Sequence, residues 1–165
     1  MRTNPLAAKA VTESPPPPDS GNLMEDRATE FLAFALGSDG YAVRLDRVRE
    51  IVNPPQITPV PRGPKHILGV CSVRGSLVTV VDLRRRLRLP ADYRPRSARV
   101  LLTHSEQGEG VGLYVDEVKR VVRLARDQIE VASVVGSDLS EHVLGIGRPT
   151  PDDIYVLLDL STISA

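Results

Sequence analysis

The sequence repeats itself, and the repeat limits the folds open to it. Val48–Val52 (VREIV) returns 70 residues later as Val118–Val122 (VKRVV). His66–Val70 (HILGV) returns after 76 as His142–Ile146 (HVLGI), and Val80–Leu83 (VVDL) after 77 as Leu157–Leu160 (LLDL). Three matches in one order, with offsets growing by only a few residues, predict two matched structural units. A unit of about 70 residues buries too little surface to be secure alone, so the two are expected to share an apolar interface.

Within each unit the pattern is that of β-strands. Phe31, Ala33 and Ala35 alternate with Leu32, Phe34 and Leu36, as in a strand buried on both faces. Gly37-Ser38-Asp39-Gly40 makes a turn, and Tyr41, Val43 and Leu45 continue into a hairpin. Val48–Val52 is halted by Pro54-Pro55. After a proline-punctuated link, Ile67–Val70 and Leu77–Val81 flank an Arg74-Gly75 turn, and Val100–Leu102 and Gly112–Asp116 begin the order again. The 21 valines and 7 isoleucines suit this reading. The expectation is a mainly all-β protein with short helices, one small sheet closing within residues 30–90 and another within 95–165.

Residues 1–26 are different. The run Pro15–Pro18 and its small polar neighbours lack a periodic apolar pattern, which predicts a disordered proline-rich tail ahead of a domain spanning 27–165. No stretch approaches the ~18 apolar residues of a membrane span. Met1–Val11 lacks the apolar run of a signal peptide, so a cytoplasmic protein is expected. The single cysteine, Cys71, excludes an internal disulfide and sits in an apolar run as an inert thiol.

The repeat also argues against catalysis. His66 and His142 are equivalent, as are Asp82 and Asp159, each placed where an aspartate can cap a short helix. Duplication of that kind suits a structural role. There is no HExxH, GxSxG or P-loop, and Gly108, Gly110 and Gly112 lie between strands without the helix a dinucleotide site needs. No enzyme activity, metal or cofactor is expected. Charge is locally uneven: seven arginines face one aspartate between Arg84 and Arg99, while seven acids face Arg148 from Asp127 onward. The arginine run suits either a protein interface or a small β-barrel that binds nucleic acid. With no Trp and no net charge, nucleic acid is the lesser of the two.

The strings Glu30-Phe31-Leu32-Ala33-Phe34, Tyr41 and Val48-Arg49-Glu50-Ile51 resemble the opening of the CheW-like family. Gly69-Val70-Cys71-Ser72-Val73-Arg74-Gly75 with Val80-Val81-Asp82-Leu83-Arg84 resembles its central motifs, and Gly112–Val118 its GIVVDxV strand. The likeness covers about residues 30–163; Thr79 departs from the family's usual proline, and Cys71-Ser72 from a common Ile-Asn. It implies two SH3-like five-stranded β-barrels sharing an apolar interface. It also implies a non-catalytic adaptor that couples the cytoplasmic tips of chemoreceptors to the histidine kinase CheA, at arrays on the inner face of the membrane. An accessory homologue in a motility or developmental pathway is the neighbouring alternative.

Site residues follow from the resemblance position by position. Glu50 and Arg74 match the acid and arginine of the receptor-binding face and are expected to pair, with Leu45 and Val48 lining the adjoining apolar groove. Gly69 and Gly75 match positions of close backbone approach, although Gly75 equally suits a plain turn. Val118 and Val121 match apolar positions set against the kinase's regulatory domain, and equally suit the core of their own unit.

Overall fold

The structure is a computed structural model that describes residues 28–91, 94–104, 110–131 and 140–164. The proline-rich segment and Gly108 lie outside the described residues. The first unit contains β1 (Thr29–Leu36), β2 (Asp39–Arg44), β3 (Val48–Val52), β4 (Ile67–Val73), β5 (Ser76–Asp82) and the one-turn helix α1 (Leu83–Arg86). The second contains β6 (Arg99–Thr103), β7 (Gly110–Val115), β8 (Glu117–Leu124), β9 (Ile129–Val131), β10 (Val143–Thr150), β11 (Asp153–Leu158) and α2 (Leu160–Ile163). The alternation expected from sequence is realised in the strands.

The sheets do not divide where the repeat suggests. One has the order β3-β6-β7-β5-β4 and the other β8-β1-β2-β11-β10-β9, so each contains strands of both units. The first hairpin of each unit is exchanged: β1–β2 lies between β8 and β11, and β6–β7 lies between β3 and β5. In place of sheets confined to residues 30–90 and 95–165, the chain builds two interlocked sheets related by the repeat. The physical reason is that equivalent strands carry the same apolar alternation, so either hairpin can occupy the slot. Exchange then places β1 and β7 between two cores. Leu32, Phe34 and Leu36 of β1 enter a central cluster with Val43, Leu83, Leu101, Leu113, Val115, Leu158 and Ile163. On the opposite face Phe31 and Ala33 join Ala42, Val122, Leu124 and Leu157. The central cluster is the shared apolar interface, and each of its large side chains contributes about 1.5–3 kcal/mol of burial.

The two halves agree in backbone detail. The Asp82 amide donates to the His66 carbonyl at 2.7 Å, and the Asp159 amide to the His142 carbonyl at 2.8 Å. Each aspartate then caps its helix: Asp82 accepts from the Arg84 amide and Asp159 from the Ser161 amide, both at 3.0 Å. Each β4- or β10-type strand carries a bulge at its glycine, Gly69 or Gly145. A side chain at Gly69 would fall on the Thr58 carbonyl, and one at Gly145 on the Glu130 carbonyl. Thr58 bridges to Val70 as β9 bridges to β10, and β9 makes the second sheet six-stranded where five strands were expected.

This crowding gives a ranking that can be measured. Gly69→Ala is expected to cost about 1–3 kcal/mol, because the new methyl must push Thr58 from its bridge. Gly75→Ala meets open space and pays only for its left-handed backbone, about 1 kcal/mol. Urea denaturation midpoints should fall further for Gly69→Ala. The reverse order would remove the crowding argument.

Candidate functional site

The β4–β5 hairpin turns through two residues with positive φ, Arg74 at 50° and Gly75 at 82°. A primed two-residue turn matches the twist of its strands and needs that geometry. It throws the Arg74 side chain into solvent, 77% exposed, and Arg74 there meets Glu50 on the edge strand β3. The contact is two-pronged: Nη1 donates to Oε1 at 2.7 Å, and Nη2 lies 2.6 Å from Oε2. β3 and β4 are opposite edges of their sheet, so the pair joins a β4–β5 turn to the far edge and shows that the sheet curls. An exposed pair of this kind contributes at most about 1 kcal/mol to stability. Its fixed fork therefore offers more to recognition than to folding.

The other expected site residues divide. Leu45 and Val48 are partly buried and pack on the central cluster. Gly69 has an internal reason, the Thr58 carbonyl, and Gly75 has its backbone angle. Val118 packs on the central cluster, whereas Val121 on the edge strand β8 is 46% exposed. Its repeat equivalent Ile51, on β3 next to Glu50, is 42% exposed, and Leu77 just past the Arg74 turn is 70% exposed. The sequence marks Leu77 only as the start of the strand run Leu77–Val81. Alternation does not mark it as exposed, because Leu77 shares its strand face with Val81, which is 4% exposed.

The arginine run is largely turned onto the protein. Arg84 is buried, its Nε donating to both Asp116 carboxylate oxygens at 2.9 and 3.0 Å and its Nη1 to the Pro90 carbonyl at 2.9 Å. Asp116 also accepts from the Gly37 amide at 2.6 Å, so this carboxylate holds the α1 turn and the β1–β2 turn together. Arg86 donates to the Thr162 carbonyl at 3.0 Å, Arg94 lies over the Tyr114 ring at 5.3 Å, and Arg99 donates to the Ala98 carbonyl at 2.7 Å. Side chains spent in this way do not make a continuous track for a phosphate backbone. Among the described residues there is no group of His, Cys, Asp and Glu able to hold a metal, and no helix long and apolar enough to cross a membrane. Cys71 is buried, and burial pushes its thiol pKa up, as expected for an inert thiol.

The CheW-like domain family matches residues 30–165, nearly the whole of the described chain. The chain belongs to the CheW-like family. Among its relatives, the chemotaxis protein CheW of Helicobacter pylori is 28% identical over 141 residues, covering 84% of each protein. The probable chemotaxis protein CheW of Rhizobium etli is 32% identical over 114 residues, 68% of this chain and 72% of that one. The crystal structure of the scaffolding protein TtCheW from Thermoanaerobacter tengcongensis superimposes with a TM-score of 0.74 at 26% identity, covering 80% of this chain and 89% of that one. The mainly β architecture of two sheets with short helices is thus the architecture of a CheW-like protein.

Proposed function

We propose that this CheW-like protein is a non-catalytic coupling adaptor of a chemosensory array, joining the cytoplasmic tips of chemoreceptors to the regulatory domain of the histidine kinase CheA. The observation that carries the receptor half is the exposed, two-pronged Arg74–Glu50 pair. A helical receptor tip carries both charged and apolar side chains. An arginine fork held against a glutamate suits the charged side chains of such a tip. Gly75 belongs to this face through the turn it permits, and Gly69 through the strand it lets approach Thr58.

The kinase half rests on the opposite sheet. Val121 stands on the edge strand β8, where an apolar side chain and unpaired backbone groups are open to a second β-protein, while Val118 sets that strand against the core. The homology of that kinase domain to this family makes an edge-on contact a reasonable geometry. Both partners keep the protein at the inner face of the membrane without an insertion of its own.

Co-sedimentation tests the reading directly. Full-length protein mixed with receptor-bearing membrane vesicles is expected to pellet with them, and to bring the purified CheA regulatory domain into the pellet. Failure to bind either at about 50 μM, well above a useful coupling affinity, would refute the adaptor assignment.

A further inference from the structure

A second feature, independent of the adaptor surface, lies where the two units' matched histidines come together. Lys65, His66, Arg85, Arg86, Arg88, Glu141 and His142 line a half-open cleft of about 200 Å³. Four of these side chains are cationic at any physiological pH and only Glu141 is acidic. Arg86 ties the halves: its Nη1 lies 3.4 Å from His66 Nε2, and its Nη2 donates to the Thr162 carbonyl beside His142. His142 Nδ1 is 3.0 Å from Thr162 Oγ1, and its Nε2 is 3.3 Å from Glu141 Oε1.

The repeat makes the basic character informative. α1 reads Leu-Arg-Arg-Arg and its counterpart α2 reads Leu-Ser-Thr-Ile, with the same aspartate cap and the same packing of the first leucine. Lys65 and Glu141 likewise hold equivalent positions ahead of His66 and His142. The fold therefore does not require cations here, since the second unit makes the same turn without them. Arg84 has a structural use against Asp116. Lys65 takes part in no ion pair among the described residues, and Arg85 reaches Asp82 only at 3.6 Å while 43% exposed. An anion at the rim would join the like charges of Lys65 and Arg85.

We infer that this cleft binds a phosphate-class dianion, either the free ion or the phosphoryl group of a small phosphorylated molecule, held by Lys65 and Arg85 at the rim with the two histidines behind. Lysine supplies a point charge and arginine a planar fork, the usual pair of phosphate ligands. The volume admits one or two phosphoryl groups and no polymer. Both imidazoles are held below their ordinary pKa, His66 by burial, Arg86 and His142, and His142 by burial, Arg86 and Arg88 against the opposing pull of Glu141 and Asp159. An anion reverses the penalty for charging them. Binding should therefore raise both histidine values.

The test is titration of the full chain with pyrophosphate, orthophosphate and glycerol 3-phosphate at constant ionic strength, followed through the His66 and His142 ring-proton NMR signals. Saturable shifts with a dissociation constant below about 1 mM for at least one of them are expected. Orthophosphate or pyrophosphate binding alone identifies a free ion, and glycerol 3-phosphate binding identifies a phosphorylated small molecule. Lys65→Gln with Arg85→Gln should weaken binding at least tenfold with an unchanged circular dichroism spectrum, and Lys65→Gln alone should weaken it measurably. No saturable shift up to about 10 mM, well beyond that affinity, or equal binding by the double variant, would overturn the site.

Discussion

Expressed separately, residues 30–90 and 95–164 are each expected to stay unfolded, and mixing them is expected to restore a cooperative transition. The cut severs every pairing that crosses between the units: β1 with β8, β2 with β11, β3 with β6 and β5 with β7. Each fragment keeps only local hairpins, which are marginal in water, and exposes half of the central cluster around Phe34 and Leu113. Circular dichroism and a urea titration of each fragment, then of the equimolar mixture, measure this. Two fragments with their own sharp transitions would show that the hairpins are not exchanged in solution.

Asp116→Ala is the point substitution expected to cost most. Arg84 and Asp116 retain 10% and 7% side-chain exposure, so removing the carboxylate strands a guanidinium away from water and also frees the Gly37 amide. Breaking a buried pair from one side costs about 3–5 kcal/mol, which in a chain of this size lowers the thermal midpoint on the order of 10 °C. Replacing both partners, Arg84→Met with Asp116→Leu, should recover much of that loss, because no lone charge then remains buried. A single variant within about 0.5 kcal/mol of the parent would place the pair outside the stabilising core.

Much of the fold was legible because strands, turns and caps are written in neighbouring residues. The double-sided burial of β1, the Arg74-Gly75 turn and the paired Asp82 and Asp159 caps all follow from short strings. The hairpin exchange is not local. Repeat-equivalent strands have interchangeable apolar patterns, so the sequence states what each sheet contains and leaves open which copy supplies it. Arg84 was hidden for a related reason. It stands in a run of arginines that reads as a binding surface, and its partner Asp116 lies 32 positions away at the end of a strand. Glu50 and Arg74 were found through the family resemblance, and their contact across 24 positions needed the curl of the sheet to be seen. Gly69 shows the converse: a glycine that resemblance assigns to a partner is accounted for by the chain's own Thr58.

The measurement closest to the central claim is the affinity of Arg74→Glu for receptor. The substitution reverses a 77% exposed charge and places it against Glu50, so folding should be little changed while the receptor meets two acids in place of an arginine fork. The titration should use receptor-bearing vesicles, with circular dichroism as the folding control and the CheA regulatory domain as a second ligand. The account predicts a loss of more than tenfold in receptor affinity, at least about 1.4 kcal/mol. It also predicts a much smaller change for the kinase domain, and partial recovery when Glu50→Arg is added. A folded Arg74→Glu protein that binds receptor as tightly as the parent would contradict it.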